Sequence, residues 1–328
     1  MAASVTSVPT LGSSRSAFSD RAFSLLALAA GLTVLAILGL IALSTTDQAL
    51  PAFRDEGLTF VTSNRWVPSQ DIFGGLAFVY GTMVISVIAL VFAVPVSMGI
   101  ALFLSELAPR RLRPPVVYLI DLLAAVPSVV FGLWGLLVLA SPPAGGGDAP
   151  LVRFYEWVSA VTEPIPVLNT LSGPPVNGKS YFTAGLILAL MITPIITSLI
   201  REVYDTVPRD HKEAALALGA TRWEMIRGAV FPHSRSGTVA AIMLGLGRAM
   251  GETIAAALVI GSSPQIAARL FGSGDAMAAV IANQFGEAGG LHRSALIGLG
   301  VVLFAMTIVV NVVARLIFGR ATLAQGQT

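Results

Sequence analysis

The sequence predicts an all-α membrane protein of six transmembrane helices with both termini in the cytoplasm. Three observations predict it. Of 328 residues, 55% are hydrophobic and only 12% charged, with a mean hydropathy of +0.81, whereas soluble domains carry about a quarter charged residues. The apolar residues fall in stretches of membrane length, about 20 residues per crossing, and not in short alternating runs. The Lys and Arg residues gather in one set of connecting loops, which orients the chain.

The stretches lie near 22–43, 74–104, 116–140, 181–203, 237–261 and 295–317. Arg15 and Arg21 precede the first as basic residues precede a secretory leader. Its apolar core exceeds the roughly 7–15 residues of a cleaved h-region, so it is expected to be an anchor. Pro95, Pro127 and Pro194 fall inside the second, third and fourth. Each removes a backbone hydrogen bond that neighbours must compensate, so kinks are expected there.

The N-terminus, the loop at 105–115, the loop at 204–236 with its flank and the C-terminus hold 13 of the 20 Lys and Arg residues; the other loops hold six. The expected organisation is a cytoplasmic tail at 1–21, a six-span region at 22–317 and a second cytoplasmic tail at 318–328. Within the span region, 204–236 forms a structured cytoplasmic loop and 141–180 an outer loop. "LVRFYEWVSAV" in that outer loop forms either an interfacial amphipathic helix anchored by Tyr155 and Trp157 or a solvated loop helix.

The excess of basic residues is topological and carries no nucleic-acid signal, because it is scattered over short loops. The absence of Cys removes disulfides, thiolate metal sites and thiol nucleophiles. His211, His233 and His292 show no ligand spacing, so no metal site is expected. Residues 173–180, GPPVNGKS, match the form of a phosphate-cradling loop in which Lys179 would reach phosphates and Ser180 would hold magnesium. The context argues against it. Two prolines remove donors, a membrane span follows, and roughly 40 residues of outer loop are too few for a nucleotide-binding domain.

"DHKEAALALGATRWEMIRGAVFPHSRSG" (210–237) predicts a helical hairpin. Residues 213–218 are strong helix formers, Gly219 is a stop, Thr221 with Glu224 resembles a capping box, and Pro232 is expected to end the second helix. Its E-A-A, three residues, G and later P resemble the loop by which membrane subunits of binding-protein-dependent ABC importers dock on a cytosolic ATPase. The resemblance implies a type I importer permease architecture and a coupling role for Glu213, Ala214, Ala215 and Gly219.

"GRAMGETIAAALVIG" (247–261) keeps two charges in the fifth stretch. An unpaired Arg at the centre of a membrane helix costs about 2.5–3.5 kcal/mol. Arg248 and Glu252, at i and i+4, are expected on one helix face, about 6 Å apart along the axis. They form either a self-contained pair or the lining of a polar pathway in which the guanidinium fork meets an oxyanion. Beside a carboxylate, hydrogen phosphate has a proton to donate and sulfate has none. Asp121, a third acid in an apolar stretch, either pairs with Arg248 across the bundle or sits near Arg113. Gly245, Gly247 and Gly251 are expected to allow close helix approach.

This run, with "SELAPRRLRPPVVYLIDLLAAVPSVVFGLWGLLVLA" and "YFTAGLILALMITPIITSLIREV", resembles the permeases of the bacterial high-affinity phosphate ABC importer over most of 60–315. The resemblance implies a non-catalytic subunit of the bacterial cytoplasmic (inner) membrane, with a substrate pathway at Arg248, Glu252, Thr253 and Asp121. It also implies a PstA-like second permease, two copies of a PstB-like ATPase and an extracytoplasmic PstS-like phosphate-binding protein. No cofactor is expected on this chain, ATP and Mg belonging to the ATPase. A sulfate, molybdate or phosphonate importer subunit is the near alternative. An ion-gradient-driven transporter or channel is the alternative of another class.

Overall fold

The computed structural model describes residues 14–143, 147–165, 172 and 177–323. The chain divides into two compact units, Met1–Gln48 and Ala49–Thr328. The first consists, in its described part, of the N-terminal portion of helix α1 (Ser14–Glu56). The most apolar stretch of that helix has a mean hydropathy of 2.6 and no buried residue. The helix extends well beyond the span expected at 22–43.

The second unit begins with a short helical turn, α2 (Thr59–Thr62), and a two-stranded hairpin that the sequence did not announce. Strand β1 (Trp66–Val67) pairs antiparallel with β2 (Ile72–Phe73), Trp66 opposite Phe73. Trp66 meets the rings of Phe73 and Phe78 edge-on at 5.0 Å each, contacts worth about 0.5–1.5 kcal/mol apiece beyond area burial. Around them Phe60, Met277, Leu296 and Leu299 close an apolar cluster.

Helix α3 (Leu76–Leu102) continues through a π turn at Phe103–Leu107. Helix α4 (Arg113–Ala124) and helix α5 (Ser128–Trp134), the latter prolonged by a π turn at Gly135–Ala140, are bent 87° from each other. The expected kink at Pro127 is thus a break. Pro127 stands at ψ 139° before α5, and the residue before a proline is itself driven out of helical backbone. Pro95 and Pro194 stay inside continuous helices.

Next come α6 (Pro150–Thr162) and then α7 (Tyr181–Asp205). Helix α7 is the central element. Ile85 and Ile88 of α3 and Ile187, Ile192 and Ile196 of α7 build the main core, and the Ser97 hydroxyl donates to the Thr193 carbonyl at 3.0 Å. The first turn of α7, whose N–H groups lack partners in the helix, receives the carbonyls of Gly272 and Leu270 at 3.1 and 2.9 Å.

Helices α8 (Arg209–Ala217) and α9 (Arg222–Met225) form the expected hairpin. Pro232 does not end it. A π turn at Ile226–Val230 leads straight into α10 (Phe231–Met250), where Pro232 sits in the first turn, a place whose N–H has no helical partner to lose.

The stretch expected to cross as one helix at 237–261 is broken. Helix α10 ends at Met250 and α11 runs from Ile254 to Val259. Helices α12 (Met277–Gln284) and α13 (Gly290–Leu323) complete the chain. Four helices are long and apolar enough to cross a membrane, or five if the bent α4–α5 pair is one span. Of the six expected stretches, the broken one at 237–261 is the remainder.

The loops meet as the charge count grouped them. Arg113 and Asp205, and Lys212 and Glu106, join the loops at 105–115 and 204–236 at one end of the bundle. At the other end Trp66 Nε1 donates to Gln284 at 3.1 Å, and Tyr155 reaches Ser180.

Candidate functional site

The break between α10 and α11 arises from residue chemistry. Gly251 is a poor helix former, Thr253 is β-branched and Glu252 brings an acceptor for backbone donors. The Glu252 N–H still bonds to the Ala249 carbonyl at 3.3 Å, and its carboxylate then accepts the Ala255 N–H at 3.3 Å. An orphan amide of α11 is therefore satisfied by a side chain that is only 8% exposed. Nonhelical backbone at membrane depth requires such compensation.

Arg248 and Glu252 consequently do not share one helix face. Among the described residues the ion pairs are Arg113–Asp205 and Lys212–Glu106, so the self-contained Arg248–Glu252 pair is corrected. Glu252 turns to the backbone of α11, while Arg248 is exposed and without a partner among the described residues. The supposed choice of a protonated anion by Glu252 loses its geometric basis. Thr253 is half-buried, its hydroxyl donating to the Gly251 carbonyl at 3.2 Å.

Asp121 does not pair with Arg248; it is exposed on α4, the helix that begins at Arg113, and Arg113 is itself paired with Asp205 across to the end of α7. Of the three glycines expected to admit a neighbouring helix, Gly245 does so, since a Cβ there would lie 2.5 Å from Ile196; nothing lies within 4 Å at Gly247.

Arg248 closes an exposed stripe. Ala240, Leu244 and Arg248 follow at four-residue spacing and are exposed, so they lie on one face of α10. Toward the α8–α9 end, the same face borders a cavity of about 570 Å³ lined by Glu202, Val203 and Thr206 of α7 and by His233, Ser236, Ala240 and Leu244. An open, partly polar groove thus lies along α10, its lining ending at Leu244, one turn before the exposed Arg248.

The hairpin presents a second surface. Helix α8 stops where Gly219 adopts φ +86°, a left-handed conformation open to glycine at little cost. Thr221 then starts α9 with the expected capping box. Its hydroxyl accepts the Glu224 N–H at 3.3 Å and its N–H donates to the Glu224 carboxylate at 2.7 Å. The Thr221 N–H and hydroxyl, both donating to the Glu224 carboxylate, hold that carboxyl below its ordinary range. Glu213 and Ala214 are exposed, Ala215 packs on the core, and Leu216, Leu218 and Trp223 stand 43%, 90% and 59% exposed.

Of the phosphate-loop match, residues 173–176 lie outside the described residues. Ser180 caps α7, accepting the Thr183 N–H at 3.1 Å, and its hydroxyl lies 3.2 Å from that of Tyr155. Tyr155 is not an interfacial anchor. It is buried, stacked on Phe271 at 4.2 Å, and bonded to Thr183 at 2.5 Å, while Trp157 is exposed.

Two features escaped sequence reasoning. Glu106 and Lys212 form a sheltered ion pair across 106 positions, a juxtaposition no local spacing announces. Asp275 is buried beside Ala276 and near Tyr181; burial pushes its carboxyl up to about 6, against the opposing bond from the Ala276 N–H.

An apolar helix bundle with a broken crossing, an exposed guanidinium one turn beyond a groove, and a helical hairpin at the groove's far end fit a membrane permease. Residues 93–322 match the family described as binding-protein-dependent transport system inner membrane component. The chain belongs to that family and is a multi-pass membrane protein. It is 43% identical to the phosphate transport system permease protein PstC of Xylella fastidiosa (strain Temecula1) over 98% of this chain and 97% of that one. It is 42% identical to PstC of Mesorhizobium japonicum, covering 92% and 90%, and 42% identical to PstC 2 of Mycobacterium tuberculosis, covering 92% of each. In fold it is similar to a chain of a bacterial alginate ABC transporter in complex with a periplasmic protein, with TM-score 0.60, 16% identity and coverage of 93% and 98%. A chain of the inward-facing MetNI methionine ABC transporter gives TM-score 0.52 at 16% identity, covering 75% and 95%.

Proposed function

We propose that this chain is a PstC-type permease subunit of an ATP-driven phosphate importer, contributing half of the translocation pathway. The observation that carries the reading is its 43% identity, over nearly all of both chains, to a protein named a phosphate transport permease. The geometry supports it: an uncompensated guanidinium on an exposed helix face is the fixed cation that a phosphate oxyanion would meet, and a monomer that exposes it leaves room for a second, PstA-like permease to complete the passage. A PstS-like protein delivers phosphate at the outer loops, and two PstB-like ATPase copies, holding the ATP and Mg, close against the α8–α9 hairpin. Arg248, with Thr253 near it, then meets the released anion, while Glu252 holds the break open by capping α11. Asp121 lines the pathway only if the second permease covers α4.

The test is reconstitution of the four-component complex in proteoliposomes. Phosphate loaded on the binding protein should stimulate ATP hydrolysis and accumulate inside, while sulfate should do neither. Equal stimulation by sulfate, or uptake without ATP hydrolysis, would overturn the reading.

A further inference from the structure

We infer that Glu106 and Lys212 are a positioning pair that makes the α8 helix and the inner end of α3 move together when the ATPase closes. The Lys212 ammonium lies 2.6 Å from the Glu106 carboxylate and 3.4 Å from the Tyr204 carbonyl at the end of α7. The carboxylate side chain is 8% exposed and the lysine 18%, so the pair is shielded from salt far better than a surface pair.

Helix α8 needs such an attachment. It has no fully buried residue, and half-buried Ala215 is the apolar side chain that it sets on the core. A helix held by so little apolar contact depends on its chain connections to α7 and α9 and on polar links. Glu106 stands in the π turn that ends α3, where i→i+5 bonding replaces the helical ladder, a feature frequent at functional sites. Helix α3 packs on α7, which packs on α10, the helix that carries Arg248. The pair therefore joins the hairpin to the helices that border the groove. The second ion pair at this end, Arg113–Asp205, has side chains 37% and 42% exposed and serves as the internal control, since exposed pairs contribute little.

This inference rests on the reading that α8 meets the ATPase. Three variants, Glu106→Gln, Lys212→Gln and Arg113→Gln, are compared in the reconstituted full complex for ATPase copurification and for phosphate imported per ATP hydrolysed. The first two should lower the import ratio by at least about fivefold, the lower end of usual coupling effects, with copurification unchanged and Arg113→Gln near the parent value. Unchanged ratios overturn the inference. So does loss of ATPase copurification with a normal ratio in the complexes that remain, which marks a plain structural staple.

A second measurement covers the case in which no complex survives. The chain has no cysteine, so spin labels at Leu107→Cys and Asp210→Cys report the α3–α8 separation in the full chain with its partner permease. The distance distribution should broaden on Glu106→Gln, and an unchanged distribution overturns the inference. Failure of the ATPase-docking reading shows separately, as normal coupling in Glu213→Lys.

Discussion

The carboxylate of Glu252 accepts the N–H of Ala255 across the break between α10 and α11, and this bond separates the two charges that the sequence set one turn apart. One acid is committed to backbone, and Arg248 is left as a cation on the open face of α10.

Arg248→Gln should abolish phosphate uptake while the complex still assembles, because an exposed side chain carries no core packing and glutamine keeps donors without charge. Radiolabelled phosphate uptake in vesicles, alongside copurification of the ATPase, measures both. Uptake at the normal rate would remove Arg248 from the pathway.

Glu252→Ala deletes the acceptor that satisfies α11 and should lower the thermal stability of the purified complex by about 1 kcal/mol, the usual worth of a capping side chain. Glu252→Gln keeps an acceptor and should keep both the melting temperature and uptake. If Glu252→Gln is as inactive as Arg248→Gln at normal stability, the carboxylate acts on the anion and the capping role is insufficient.

Gly219→Asp places a side chain where φ is +86°, with open space around it, so the penalty is one of backbone conformation alone. It should reorient α8 against α9 and reduce phosphate imported per ATP. Glu213→Lys, on the exposed side of α8, should weaken ATPase copurification. Normal coupling in both variants would remove the hairpin from ATPase docking.

Asp275 supplies a pH signature. Its carboxyl is raised from 3.8 to about 6 by burial, so the folded chain holds its proton more tightly than the unfolded chain. Stability should therefore fall as pH rises between about 4 and about 6 and stay reduced above that. Asp275→Asn should flatten this slope and raise the melting temperature at neutral pH. Parallel pH profiles of the two chains would show that Asp275 is not the source.

Much of this protein was legible in the chain because its causes are local. Runs of apolar residues, the Thr221–Glu224 capping box, the Gly219 stop and the loop charges act through neighbours in sequence, and the structure repeats them. The 87° break at Pro127, set against the unbroken helices through Pro95 and Pro194, was not legible. Pro127 at the break and Pro95 in a continuous helix are both exposed, so neither the proline nor its burial separates them.

Glu106 and Tyr155 show the same division. Composition and periodicity by themselves determined a helical membrane protein and the presence of two charges in the fifth stretch, since hydration of apolar surface and backbone geometry depend on residue type and spacing. Tertiary structure alone decided that Tyr155 would stack on Phe271 and that Glu106 would find Lys212. Hydrogen bonds and ion pairs form between whichever groups the folded backbone brings within about 3 Å, and over a hundred residues of separation no local pattern encodes that approach.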